Sequence, residues 1–165
     1  MKKLSFVLVI FLLNISFISC SVKEDDQALE EYKSESIQVE YSEMDYEIVE
    51  IINAYRVSKG LSSLNILNEA SKEAILHNQY MVEQGEISHD YFFTRLENLK
   101  KSVNAKSVSE NVGYGYSSTQ SIVDAWLRSE SHKKNIETPG FTDFGVSTTQ
   151  DEKGRNYFIN IFVKR

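Results

Sequence analysis

Residues 144–163 read FGVSTTQDEKGRNYFINIFV, and this stretch decides the fold of the chain. Residues 144–149 predict a strand, residues 151–154 (DEKG) a turn, and residues 155–163 a second strand, so a β-hairpin is expected. In the second strand Tyr157, Ile159, Ile161 and Val163 alternate with Phe158, Asn160 and Phe162. Because both alternating sets are largely apolar, we expect other layers to cover both sides of the sheet.

Helical patterns precede the hairpin. Apolar residues recur at helical spacing from about Met44 to Gly60, and again from about Asn68 to Gly85, with a glycine ending each run. Shorter helices are predicted over residues 91–101 and 121–130. Helices followed by a terminal hairpin indicate the α+β class, with helices on both faces of a small sheet.

The first nineteen residues predict a secretory signal. Two lysines precede an apolar run over residues 5–13 that is short for a membrane span, and the sequence turns polar after Cys20. Cys20 is the chain's one cysteine and follows Ser19 in a pattern that resembles a bacterial lipobox. We therefore predict residues 1–19 as a lipoprotein signal peptide and Cys20 as the lipidated residue. The alternative is a secreted protein with an unpaired thiol.

The net charge argues against nucleic acid as a partner, and the cysteine content excludes an internal disulfide. Without Lys2 and Lys3, 16 of the 18 basic residues remain against 24 acidic ones, which gives the processed chain a net charge of −8. Such a chain lacks the basic surface that binds nucleic acid. With no second cysteine there is no internal disulfide, so a hydrophobic core must stabilise the domain.

Residues 20–43 are predicted as the lipidated cysteine followed by an acidic, disordered tether, since acidic residues dominate and few apolar ones are present to bury. A loose helix over residues 27–35 is the alternative. The membrane is then a partner through the lipid on Cys20, and residues 44–165 form the folded domain.

Short motifs in a fixed order then suggest a family. In chain order they are Asn53-x-x-Arg56, Gly60-Leu61-x-x-Leu64, Ala74-x-x-His77, His89, Glu110-Asn111-Val112-Gly113-Tyr114-Gly115, Trp126-x-x-Ser129-x-x-His132-x-x-Asn135-Ile136 and Phe141-x-x-Phe144-Gly145-Val146. Together they resemble the CAP superfamily of cysteine-rich secretory, antigen 5 and pathogenesis-related proteins, in its disulfide-free bacterial branch. The resemblance implies a three-layer α-β-α sandwich around a small, largely antiparallel sheet.

The resemblance also implies a cleft that contains His89, Glu110 and His132. In the family the two histidines can hold a divalent cation such as zinc, although two imidazoles alone make a weak site. Ser129 stands where animal and plant members carry a second glutamate, and the adjacent Glu130 is a candidate substitute. His77 lies within an apolar helical stripe, so we interpret it as a core residue and leave it out of the site.

Three function classes remain open. The favoured one is a non-enzymatic binding module for a host protein, an envelope component or a small apolar or lipid ligand. A metal-assisted hydrolase would use His89 and His132 for the ion and Glu110 as general base. The third class is a scaffold with a vestigial cleft. No serine lies in a nucleophile elbow, which disfavours a serine hydrolase. We expect a monomer, exported and anchored in the cell envelope, at the outer membrane or cell surface.

Overall fold

The computed structural model describes residues 37–165, so the predicted signal peptide, Cys20 and most of the predicted tether lie outside the described residues. The helices are α1 (Glu43–Ser58), α2 (Asn68–Gln84), α3 (Phe92–Val103), α4 (Thr119–Arg128) and α5 (Glu130–Glu137). The strands are β1 (Asn65–Ile66), β2 (Ser107–Tyr114), β3 (Asp143–Gln150) and β4 (Asn156–Lys164). None of these helices is both long enough and apolar enough to cross a membrane.

The four strands form one mixed sheet in the order β1-β3-β4-β2. The terminal hairpin is confirmed: β3 and β4 pair antiparallel, with Gly145 opposite Ile161 and Val146 opposite Asn160. β2 pairs antiparallel with the other edge of β4, and the short β1 pairs parallel with β3. The central position of β4 explains why its sequence is apolar on both faces.

Helices cover both faces of the sheet, which confirms the three-layer α-β-α sandwich. On one face, Phe158 and Phe162 of β4 pack in a cluster with Ile48 and Ile52 of α1 and Trp126 of α4. On the other face, the alternate residues of β4 pack in a second cluster with α2 and α3. That cluster includes Ala70, Ala74, Met81, Leu99, Tyr157, Ile159, Ile161 and Val163.

The helix ends follow local signals in the sequence. Ser42 caps α1 in a reciprocal capping box with Asp45, and Gly85 ends α2 in the left-handed conformation with φ 74°. The predicted helix over residues 121–130 is wrong at its end, because Ser129 has extended backbone angles and separates α4 from α5. This break determines where the side chains of α5 point.

The folded region starts a few residues earlier than the sequence indicates. Tyr41, in the last part of the predicted tether, packs against the core beside α1. Its hydroxyl donates a hydrogen bond of 2.8 Å to Asn68 Oδ1, at the start of α2. Residues just before α1 therefore belong to the domain.

Candidate functional site

The buried carboxylate of Glu110, on the edge strand β2, accepts hydrogen bonds at both oxygens. Its side chain is 2% exposed and faces Arg95 of α3, which is 5% exposed. Arg95 Nη2 donates to Oε1 at 2.7 Å and to Oε2 at 2.8 Å, and Arg95 Nε donates to Oε2 at 3.0 Å. Both carboxylate oxygens are thus held by one guanidinium in the two-pronged geometry that suits this pair of groups.

His89 approaches the same carboxylate from the loop between α2 and α3. Its Nδ1 lies 2.7 Å from Glu110 Oε1, so Nδ1–H donates and Nε2 remains available to a ligand. The side chain of His89 is 55% exposed, which makes it the accessible end of the Arg95–Glu110–His89 network. A carboxylate that fixes one imidazole nitrogen in this way sets the ring's tautomer and orientation.

The hydrogen bonds and charges of the network shift the pKa of Glu110 and the pKa of His89. Burial alone would raise the pKa of Glu110, but the hydrogen bond from His89 and the charge and hydrogen bonds of Arg95 outweigh it, and the pKa is lowered. The hydrogen bond to Glu110 raises the pKa of His89 against the opposing effect of its partial burial. Glu110 is therefore a charged, buried group in the folded domain.

Two side chains hold the loop that carries His89. Arg95 Nη1 donates to the carbonyl oxygen of Asp90 at 2.6 Å and to His77 Nδ1 at 3.1 Å. The other nitrogen of His77, Nε2, then carries the hydrogen and donates to the Ser88 carbonyl oxygen at 2.8 Å. Burial, and next the charge of Arg95, lower the pKa of His77. His77 is buried in the α2 stripe, as the sequence indicates, and its neutral ring supports the loop.

His132 occupies a separate hollow. Its ring lines a space of about 350 Å³ with Gly113, Trp126 and Ser129. Among the described residues, its ring forms no hydrogen bond or ion pair with His89 or Glu110. Burial and the charge of nearby His89 lower its pKa. The structure thus joins the His89 and Glu110 side chains directly. His132 lies near them, and its backbone carbonyl accepts a hydrogen bond from Asn111, the residue that follows Glu110 on β2.

Ser129 and Glu130 diverge at the break between α4 and α5. Ser129 lines the hollow of His132, so the position of the family's second glutamate carries a neutral hydroxyl in this chain. Glu130 is exposed and lines a different surface depression with Lys133, Lys134 and Glu137. The structure therefore does not bring Glu130 to His89 and Glu110.

The donor set is poorly suited to a tightly held metal ion. Within residues 37–165, no group of three or more histidine, cysteine, aspartate or glutamate side chains is arranged to hold one. Both oxygens of Glu110 are engaged by Arg95, so this carboxylate positions His89 rather than offering a ligand.

The accessible space beside this network has both aromatic and polar walls. An open hollow of about 580 Å³ lies next to His89 and Glu110, and its walls include Tyr91, Phe92 and Phe93. Asn135 of α5 borders it from the other side, fixed by a 3.1 Å bond from its Nδ2 to the Glu110 carbonyl oxygen. The site, which we call the His89 hollow, thus combines three aromatic side chains with an exposed imidazole and further polar groups, among them Asp90 and Ser109.

The domain is therefore a three-layer sandwich in which the buried Glu110 accepts a hydrogen bond from His89, and this pair lies at an open surface hollow. The sequence from residue 49 to 163 matches the Cysteine-rich secretory protein family, CAP, and the chain therefore belongs to that family.

Relatives and solved structures agree with this assignment. The Bacillus subtilis (strain 168) proteins YkwD and YlbC, the latter a membrane protein, are both described as uncharacterised. YkwD is 33% identical over 102 residues, which cover 60% of this chain and 40% of YkwD. YlbC is 28% identical over 122 residues, which cover 72% of this chain and 34% of YlbC. The chain thus spans less than half the length of either relative.

Among solved structures, an outer surface protein from Borrelia burgdorferi has a TM-score of 0.69 at 22% identity, covering 78% of this chain and 98% of that one. An extracellular SCP-domain protein from Bacillus anthracis has a TM-score of 0.65 at 24% identity, covering 74% and 40%. At these identities the likeness establishes the fold.

Arg95 is the site residue that sequence reasoning missed. A signal was available: Phe92, Arg95 and Leu99 are spaced as one face of α3, and Leu99 is fully buried. A basic residue on a core-facing stripe requires a buried acidic partner. Glu110 is that partner.

Proposed function

We propose that this protein is an exported lipoprotein, anchored to the bacterial envelope through Cys20, whose CAP domain binds a ligand without catalysing a reaction. The signal sequence and the position of Cys20 support the anchor. Two of the structural neighbours are an outer surface protein and an extracellular protein, which is consistent with export.

The observation that carries the binding function is the complete engagement of Glu110. A general base needs a free lone pair and a pKa near the working pH. Glu110 has both oxygens engaged by Arg95 and His89, and these contacts lower its pKa. This argues against Glu110 as the base of a metal-assisted hydrolase and favours a role in positioning His89.

The ligand class follows from the walls of the His89 hollow. Tyr91, Phe92 and Phe93 provide apolar contact area, and among the polar groups of the wall His89 offers the accessible imidazole nitrogen Nε2 as an anchor. We therefore propose a small apolar ligand with a single polar group, or the apolar part of an envelope component. The affinity would come from the apolar area and the orientation from the imidazole.

The test is a search for small molecules retained by the processed chain, residues 20–165, after incubation with a lipid extract of the envelope. Mass spectrometry would compare the wild type with Phe93→Ser, with His89→Ala and with Tyr46→Ser, an exposed aromatic on α1 that serves as the matched control. We expect one compound class to be retained by the wild type and by Tyr46→Ser, and depleted in the other two. Equal retention by all four proteins would refute binding in this hollow.

The anchor is tested separately in cells that produce the protein. Wild-type chain should incorporate labelled palmitate and fractionate with membranes, whereas Cys20→Ser should do neither. Palmitate incorporation that persists in Cys20→Ser would refute the assignment of the lipidated residue.

A further inference from the structure

Exposed apolar side chains concentrate at the His89 hollow, lined by Tyr91 and Phe93, and at the neighbouring hollow of His132, lined by Ile87. Of the five large apolar side chains that are exposed in residues 37–165, three lie between residues 87 and 93: Ile87 is 46% exposed, Tyr91 66% and Phe93 77%. We call residues 87–93 the aromatic loop. A cluster of this kind on an otherwise polar domain marks an interaction surface.

The aromatic loop is held rigidly in this exposed arrangement. Tyr91 adopts the left-handed conformation with φ 57°, which costs energy for a residue with a large side chain. Its backbone carbonyl accepts from the Arg95 N–H at 3.1 Å, and its ring packs edge-on against Tyr80 at a centroid distance of 5.4 Å. Phe92 N–H also donates to the His89 carbonyl oxygen at 3.2 Å. The backbone of this segment and the Tyr91 ring are therefore held by defined contacts, so Tyr91 has little conformational freedom to lose on binding.

The position of Ile37, on the side of the chain that leads to Cys20, indicates what the aromatic loop contacts. Ile37, where the described residues begin, lines a hollow of about 340 Å³ between α2 and α3, and Tyr91 lines the same hollow. The chain thus enters the domain beside the aromatic loop. Cys20 is 17 residues before Ile37, so covalent geometry limits their separation to about 60 Å. A lipid on Cys20 keeps this side of the domain within reach of the membrane.

We infer that the aromatic loop inserts its exposed side chains into the interface of the membrane that holds the anchor, so that the His89 hollow opens toward lipid. This inference rests on the lipid anchor of the proposed function. Tyrosine and phenylalanine are suited to the boundary between head groups and acyl chains. Glu86 precedes the apolar positions and Asp90 lies between Ile87 and Tyr91, so the loop prefers a zwitterionic surface to an anionic one.

Three apolar side chains give weak binding unless the protein is already tethered. The anchor raises the local concentration of the loop at the membrane, so contact becomes an intramolecular event. We expect the processed chain with a blocked Cys20 to remain unbound at micromolar concentration, and the tethered chain to contact the bilayer.

The chain's chemistry allows a direct test, because Cys20 is its one cysteine. The processed chain is coupled through Cys20 to a maleimide lipid in phosphatidylcholine vesicles that also contain a lipid with a spin label near the head group. Phe93→Trp is the reporter. Native Trp126 is buried and present in every variant, so the wild-type protein gives the background emission to be subtracted. Tyr46→Trp, at an exposed site on α1, is the matched control.

We expect the spin label to quench Phe93→Trp at least about twofold more than Tyr46→Trp. Adding Ile87→Ser and Tyr91→Ser to the Phe93→Trp protein should reduce the bound fraction about tenfold, since two apolar contacts are lost. Equal quenching of the two reporters, or quenching that survives the added substitutions, would overturn the inference. Burial of Phe93→Trp in solution, at concentrations where the chain dimerises, would assign the loop to a second copy and also overturn it.

The experiments distinguish an error about membrane contact by the aromatic loop from an error about lipidation of Cys20. Absence of palmitate on Cys20 in cells would refute the anchor, whatever the vesicles show. Palmitate on Cys20 without quenching of Phe93→Trp would refute the membrane contact alone and leave the binding module intact.

Discussion

Replacing Arg95 by methionine tests the network at the centre of the site. Methionine preserves much of the apolar stem but removes the guanidinium, and with it three hydrogen bonds to Glu110 between 2.7 and 3.0 Å. The carboxylate would then be buried without its cation. Removing one partner of a buried ion pair typically costs about 3–5 kcal/mol, so we expect a loss of this size in the free energy of unfolding at pH 7. In a domain of this length that lowers Tm by about 10–20 °C.

Urea denaturation and calorimetry on the processed chain would measure the loss. Arg155→Met is the matched control, because Arg155 forms an exposed ion pair with Asp151 and its removal should cost about 1 kcal/mol or less. Glu110→Gln added to Arg95→Met should recover part of the stability, because no unpaired charge remains buried. A loss below about 1 kcal/mol for Arg95→Met would refute the reasoning. A double variant as unstable as the sum of the two singles would refute it as well.

Four further predictions concern the histidines, one glycine and metal binding. An NMR titration of the three histidines should place the pKa of His89 above 6.5 and those of His77 and His132 below it, and the reverse order would contradict the assigned hydrogen bonds. Because the neutral His77 ring is favoured in the folded state, its contribution to stability should diminish as the pH falls below 6.5, and His77→Gln should remove this dependence. Gly145→Ala should cost about 1–3 kcal/mol or more in urea denaturation, because a Cβ would overlap the backbone of Ala70 and Ser71, whereas Gly140→Ala, beside the flexible Lys164 side chain, should be nearly neutral. Zinc at about 1 mM should raise Tm by no more than about 2 °C, and a larger shift that His89→Ala abolishes would indicate a stronger metal site than the donor set supports.

The parts of the fold that could be predicted from the sequence are those with an uninterrupted pattern. α1 and α2 have apolar residues at helical spacing and glycine stops, and the hairpin has dense apolar alternation around a polar turn. β2 was missed because its sequence, SVSENVGY, contains two buried polar residues, Glu110 and Asn111, one on each face of the strand. β1 has two residues, too few for any periodicity.

The site could be predicted in composition but not in arrangement. The family resemblance indicated that Glu110 and His89 share a cleft. In the structure His89 Nδ1 lies 2.7 Å from Glu110 Oε1. Neither motif shows on which side of β2 a residue from another element will pack. The Glu110 side chain faces Arg95, whereas the next residue, Asn111, donates to the His132 carbonyl oxygen from the opposite face. His132 is thus held from the side of β2 opposite to Arg95, and its side chain lines the neighbouring hollow with Trp126.

In a catalytic interpretation Glu110 would both orient His89 and act as a base. In this arrangement it does only the first. Arg95 neutralises Glu110, so the carboxylate contributes orientation to His89 without offering a free lone pair to a substrate. The raised pKa of His89 then determines the character of the hollow: Nε2 donates a hydrogen bond when the ring is protonated and accepts one when it is neutral. A ligand whose polar group only accepts should therefore bind better below the pKa of His89, and one whose polar group only donates should bind better above it. This reversal of ligand preference with pH would require no change in the aromatic walls. Tyr91 and Phe93 belong to the aromatic loop and the first turn of α3, and neither depends on the protonation of His89.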